Sequence, residues 1–113
     1  MKEIKAIIQP YMLESVCDAL EKIEGLPGLT LSHILGFGKT RAAEAIEATV
    51  EAGRSFAKKA KLEIVVTDEM APVVVKTIVR AARTGKAGDG KIFVYEVVNV
   101  VKIRTGERGI SEV

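Results

Sequence analysis

The segment Thr84–Lys91, TGKAGDGK, contains residue types that suit the binding of an anion. From Gly85 to Lys91 it matches G-x-x-x-x-G-K, the pattern of phosphate-binding loops. Glycines allow backbone N–H groups to approach an anion closely, and lysines supply the compensating charge. We therefore predict an anion-binding loop, which we call the glycine loop. A simple glycine-rich turn is the alternative.

An ordinary nucleotide-hydrolysing P-loop is disfavoured for two reasons. Ile92 follows the motif lysine, whereas a Ser or Thr normally holds magnesium at that position. The glycine loop also leads from a predicted helix into a predicted strand, which is the reverse of the usual order. The expected chemistry is therefore anion capture, with phosphates as the expected ligands.

Two further groups of glycine and basic residues accompany the glycine loop. Gly36-Phe37-Gly38-Lys39 ends a predicted strand, and a lone Gly-x-Gly is more often a simple strand stop. Lys102 and Arg104 alternate along the predicted last strand, so they share one face. On that face they are either solvated or able to bind phosphate oxygens. The planar guanidinium of Arg104 can bind two such oxygens at once.

Other reactive side chains have structural interpretations. The single cysteine, Cys17, lies on the inward face of a predicted helix, and the single histidine, His33, lies on a strand. One cysteine and one histidine exclude a disulfide framework and a zinc site built by one chain. No nucleophile stands beside a base. We predict no catalytic residue and no metal site.

Length and composition exclude several classes of protein. The 113 residues are 48% hydrophobic and 28% charged, which suits one packed core. A net charge of +2 and few aromatic residues argue against a nucleic-acid-binding protein. No apolar run approaches the roughly 20 residues of a membrane span, and the start lacks a signal peptide. We expect a cytoplasmic protein without membrane insertion.

The apolar spacing predicts the elements that hold these residues. Strands are expected over residues 2–9, 29–37, 62–67 and 91–103, and helices from Leu13 to near Gly25 and over Met70–Arg83. Residues 39–60 combine high helix propensity with few large apolar side chains, which predicts an excursion that is mobile or ordered by a partner.

This order of elements predicts an α+β, ferredoxin-like (βαββαβ) fold with four antiparallel strands and two helices on one face. A weak internal repeat supports two equivalent halves, since aligning Val16 with Val74 also aligns Leu20 with Ile78. Several strands carry apolar residues at successive positions, so the side of the sheet without helices is expected to be dry. A small homo-oligomer would bury that side.

Together these segments resemble the PII family of nitrogen-regulatory signalling proteins. The resemblance rests on TGKAGDGKIF at Thr84–Phe93 and KIRTGE at Lys102–Glu107, with support from Lys5–Pro10, Gly36–Gly38 and Glu63–Val66. It implies a single domain over 1–113 that assembles as a homotrimer. It also implies that ATP or ADP binds in the clefts between subunits.

The resemblance implies a role for each matching position. Phosphates would be wrapped by Gly88–Lys91 with Gly38 and Lys39 nearby, while Lys102 and Arg104 reach in from the adjacent subunit. The adenine and ribose would be held by four residues, namely Thr30, Glu63, Val65 and Thr84. The complete implied nucleotide site is Thr30, Gly36, Phe37, Gly38, Lys39, Thr40, Lys59, Glu63, Val65, Thr84, Gly85, Lys86, Ala87, Gly88, Asp89, Gly90, Lys91, Lys102 and Arg104.

The family's protruding T-loop, which docks onto target proteins, matches about residues 38–57. Ala52 replaces the tyrosine that many members modify, and Val50 stands where others carry a phosphorylated serine. We therefore expect neither modification. Residues 42–51 are expected to form a short helix on docking, with Ile46 and Val50 as its contact stripe, or to remain a solvated mobile loop. The implied partner is a membrane transporter or a metabolic enzyme.

Thr40 replaces the family's glutamine that helps to coordinate magnesium, and with it 2-oxoglutarate, whereas the loop-base lysine is kept as Lys59. Binding of magnesium and 2-oxoglutarate is therefore left open. The expected function is that of a PII-type regulator that senses ATP and ADP and is not an enzyme. The alternatives are a slow nucleotide hydrolase and a PII-like trimeric scaffold linked to metal or inorganic-carbon transport.

Overall fold

A computed structural model describes residues 1–37, 48–51 and 54–109. A short 3-10 turn, Pro10–Met12, precedes the first helix. The strands and helices are β1 (Lys2–Ile8), α1 (Leu13–Glu21), β2 (Thr30–Gly36), β3 (Ala48–Glu51), β4 (Arg54–Val66), α2 (Ala71–Ala82) and β5 (Gly90–Glu96).

The strands form one antiparallel sheet in the order β2-β4-β1-β5, and β3 extends it by pairing with the first part of β4. Each helix connects two strands that are not adjacent, because a third strand lies between them. This arrangement confirms the predicted α+β, ferredoxin-like fold.

The hydrophobic core lies between the two helices and one face of the sheet. Alternate residues of β1, such as Ile4 and Ala6, are fully buried, and they pair in register with Ile64 and Leu62 of β4. The helices contribute their buried side chains at helical spacing, namely Val16 and Leu20 from α1 and Val74 and Ile78 from α2.

The remaining alternate positions of β1, β2, β4 and β5 project from the side of the sheet without helices, which we call the open face. It carries charged as well as apolar side chains, so the expectation of a uniformly dry surface was too simple. The ammonium of Lys5 lies 5.4 Å from the ring centre of Phe93 and 5.0 Å from that of Tyr95. Both rings are exposed in the single chain.

Strand β4 is much longer than predicted. It begins at Arg54 rather than Leu62, and its pairing changes at Ala57, which lies opposite both Gly36 of β2 and Ala48 of β3. The helix propensity of this lysine- and alanine-rich stretch is overridden by pairing with strands that are distant in sequence. Residues 48–51 of the segment expected to form a helix on docking are strand in this single chain, and residues 42–47 lie outside the described residues.

The last strand is shorter than predicted. β5 ends at Glu96, where the N–H of Val97 donates to the carbonyl of Met1 at the end of the neighbouring strand. Beyond this point β1 offers no further partner, so the chain leaves the sheet. The predicted alternation of Lys102 and Arg104 along a strand is therefore wrong. Both lie in a small hairpin in which Val101 pairs with Arg108.

No helix among the described residues is long and apolar enough to cross a membrane.

Candidate functional site

The glycine loop joins α2 to β5 and is held closed by the carboxylate of Asp89. This carboxylate accepts hydrogen bonds from the N–H groups of Thr84 at 2.8 Å and Gly85 at 2.9 Å, and from the hydroxyl of Thr84. The bonds from Thr84, followed by that from Gly85, lower the pKa of Asp89. Asp89 thus organises the loop from within.

Two glycines are required where the loop returns to the sheet. Gly88 has a φ of 92° and Gly90 a φ of 108°, in the region that favours glycine. A Cβ atom at Gly90 would lie 1.8 Å from the carbonyl oxygen of Ile7. The loop backbone therefore runs directly against the end of β1, which only glycine permits.

The carbonyl oxygen of Gly88 accepts two hydrogen bonds from side chains outside the loop. The amide nitrogen of Gln9 and the ammonium of Lys59 each donate to it at 2.8 Å. Burial lowers the pKa of Lys59, and the nearby carboxylate of Asp89 partly opposes this effect. Lys59 was among the expected site residues, whereas Gln9 was missed, because its only sequence signal is a polar residue between a strand and a proline.

Basic side chains border the glycine loop on the open face. Ile7 is in register with Lys61 on one side and with Lys91 on the other. Lys59 lies on the same face two residues before Lys61, and Lys86 is exposed in the loop itself. Lys61 lies 3.6 Å from the carboxylate of Glu63. Lys61 was not among the expected site residues, since only the strand register places it and Lys91 on either side of Ile7.

A second feature lies farther along the same face. Thr30 and Glu63 are directly opposite each other in β2 and β4. Both line a cavity of about 350 Å³, the Glu63 cavity, whose lining residues are Glu3, Pro27, Gly28, Thr30, Glu63, Val65 and Val100. Three of the four residues expected to hold adenine and ribose are thus brought together, while Thr84 is in the glycine loop.

The two features are separated within one chain. Lys59 and Glu63 are four residues apart in β4, which corresponds to about 13 Å along a strand. A basic, glycine-rich end and a cavity lined by carboxylates and apolar groups therefore occupy opposite ends of the open face.

Comparison with known proteins places the chain in a family. The family model described as nitrogen regulatory protein P-II matches residues 1–107. This chain belongs to the nitrogen regulatory protein P-II family. The resemblance found in the sequence is thereby confirmed.

Individual relatives agree with this assignment. The chain is 46% identical to the nitrogen regulatory protein P-II of Klebsiella oxytoca and 45% identical to nitrogen regulatory protein P-II 1 of Escherichia coli K12, each over 107 residues and 95% of both chains. It is also similar to the crystal structure of Arabidopsis thaliana PII bound to citrate, with 40% identity, a TM-score of 0.77, and coverage of 98% of this chain and 90% of that one.

Family membership gives this chain a general role in PII signal transduction. PII proteins are regulators rather than enzymes; they bind small-molecule effectors and act on partner proteins.

The remaining expected residues of this PII chain lie at the edges of the two features or outside them. Gly36 ends β2 beside Lys59, and the Phe37 ring contacts that of Phe56 with a centroid separation of 5.6 Å. Lys102 and Arg104 lie in the hairpin after β5. Val50 pairs with Ser55 in the β3–β4 ladder. Four residues, namely Gly38, Lys39, Thr40 and Ile46, lie outside the described residues.

Proposed function

We propose that this PII protein senses ATP and ADP in clefts between the subunits of a homotrimer. The observation that carries the proposal is the geometry of the glycine loop. Its backbone is held closed by Asp89, and glycines bring it against β1 beside Lys91. Closely approaching N–H groups flanked by lysines are suited to phosphate oxygens.

The open face supports a site shared between two copies of the chain. A nucleotide carries its phosphates and its base at opposite ends, and the glycine loop and the Glu63 cavity match these two chemistries. Each copy has both features, separated by about 13 Å along β4. In a cyclic assembly, the glycine loop of one subunit would meet the Glu63 cavity of the next. Lys102 and Arg104 would then approach the phosphates from the neighbouring subunit.

Signalling requires that the two nucleotides favour different states of the protein, since equal affinity shifts no equilibrium. Strand β4 offers a route for this coupling. Lys59 touches the glycine loop, and the same strand continues to Arg54, where it pairs with β3. We propose that ATP and ADP change the pose of the segment at about 38–57. That segment would report the state to a cytoplasmic enzyme or to the cytoplasmic side of a transporter.

Regulation is favoured over hydrolysis by the environment of Asp89, the acidic residue of the glycine loop. Its carboxylate is already engaged by Thr84 and Gly85, which suits loop organisation better than general-base catalysis. Nucleotide turnover by the purified protein is expected to be negligible on the timescale of binding.

Isothermal titration calorimetry with ATP and with ADP tests the proposal. Replacement Lys91→Ala should weaken the affinity for both nucleotides about 10- to 100-fold, because it removes a charge-assisted hydrogen bond to phosphate. The matched control is Lys76→Ala, which removes another exposed lysine charge, from α2. Absence of binding at millimolar nucleotide, or equal effects of the two variants, would contradict the proposal. Repeating the titrations with magnesium and 2-oxoglutarate determines whether these ligands contribute.

A further inference from the structure

The carbonyl group of Gly88 is held by two donors of different character. One is the ammonium of Lys59, and the other is the side-chain amide of Gln9, each at 2.8 Å. Gln9 is only 6% exposed, and a Cβ atom at Gly88 would lie 3.0 Å from its amide nitrogen. Gln9 therefore packs directly against the backbone of the glycine loop.

This contact fixes the orientation of one peptide group. In a trans peptide, the carbonyl oxygen of Gly88 and the N–H of Asp89 point in opposite directions. Because the oxygen is turned toward Gln9 and Lys59, the N–H of Asp89 is turned away from them. An N–H held in this direction is available to an anion that approaches the loop.

We propose that Gln9 is a positioning residue for anion binding: it holds the peptide between Gly88 and Asp89 so that the N–H of Asp89 donates to a phosphate oxygen. This inference rests on the proposed function and adds a residue to it. Gln9 acts through the loop backbone and does not itself touch the ligand.

Lys59 cannot fulfil this role alone. Its flexible side chain ends in a compact charge, which an incoming phosphate attracts away from the carbonyl of Gly88. The neutral amide of Gln9 has no such competing attraction and remains bonded to the carbonyl. It also supplies a buried donor without the cost of burying a second charge.

The test compares ATP with adenosine, which lacks phosphates, by calorimetry. Gln9→Met keeps a similar volume but removes the donor, and it should weaken ATP binding about tenfold, the equivalent of one hydrogen bond. Its affinity for adenosine should be unchanged. Gln9→Glu, which places an acceptor against the carbonyl, should bind ATP more weakly still.

Amide NMR provides a readout that needs no ligand. In Gln9→Met, the resonance of the Asp89 N–H should shift and its hydrogen exchange should accelerate. An unaltered Asp89 resonance would overturn the positioning role, as would wild-type ATP affinity in both Gln9→Met and Gln9→Glu. A parallel loss of ATP and adenosine affinity would also overturn it, since that indicates general damage. Failure of the unchanged protein to bind ATP would instead overturn the proposed function, and with it the ligand part of this inference.

Discussion

Asp89 shows how a single carboxylate can link loop geometry to pH. Its hydrogen bonds to Thr84 and Gly85 favour the ionised form and lower its pKa below that of an unfolded chain. A group with a lowered folded-state pKa stabilises the protein above its unfolded pKa of about 3.9, and this contribution is lost as pH falls through the folded value. The glycine loop should therefore loosen in acid.

The corresponding prediction concerns Asp89→Asn. At neutral pH this variant should melt a few degrees below the wild-type protein, because the amide accepts fewer and weaker hydrogen bonds. The difference should begin to shrink as pH falls below about 4, where Asp89 is protonated in the unfolded chain, and should vanish as pH falls through the lower folded-state pKa. Thermal denaturation followed by circular dichroism from pH 7 to pH 3 measures this. Glu69→Gln, at an exposed position before α2, controls for the loss of a negative charge. A difference between wild type and Asp89→Asn that is independent of pH would contradict the explanation.

At the scale of single residues, the sequence was informative where the signal is local. Gly88, Asp89 and Lys91 are marked by a pattern within eight consecutive residues. Gln9 gave no such signal because its partner, Gly88, is 79 residues away and meets it only through the pairing of β1 with β5. Lys61 was missed for the same reason.

Among the structural elements, β5 depends on the glycine at its first position. An alanine at Gly90 would combine an unfavourable positive φ with the clash against Ile7. Gly90→Ala should lower the free energy of unfolding by roughly 3 kcal/mol or more, since backbone strain and overpacking add. Gly85→Ala should cost only about 1 to 2 kcal/mol, because Gly85 has a positive φ but open space around it. Urea denaturation distinguishes the two variants. Equal losses of stability in Gly90→Ala and Gly85→Ala would show that contact with β1 does not constrain the start of β5.

The errors in element prediction also have a physical cause. Both helices were anticipated because the 3.6-residue periodicity is contained within each segment. The length of β4 was not anticipated, because residues 54–61 become a strand only through pairing with β2 and β3. The end of β5 was misplaced because it is set by where β1 begins, and valines alone do not mark that limit.

At the scale of the whole molecule, the open face of a single chain leaves large aromatic side chains exposed to water. Tyr95 is 43% exposed and lies under the ammonium of Lys5, beside Phe93. Covering this surface by two further copies would remove apolar area from water, at about 25 cal/mol per Å². For the proposed homotrimer, analytical ultracentrifugation should give a sedimenting mass of three times the 12.2 kDa chain.

Tyr95→Asp tests this assembly together with the shared nucleotide site. A carboxylate buried between subunits is costly, so the variant should dissociate at micromolar concentration. Tyr11→Asp is the matched control, since Tyr11 is 50% exposed but lies beside α1 and α2 on the opposite side of the sheet. The dissociated variant keeps the glycine loop and the Glu63 cavity, yet it should bind ATP far more weakly, because the proposed site takes these two features from different subunits. Tight ATP binding by the Tyr95→Asp monomer would place the whole site within a single chain.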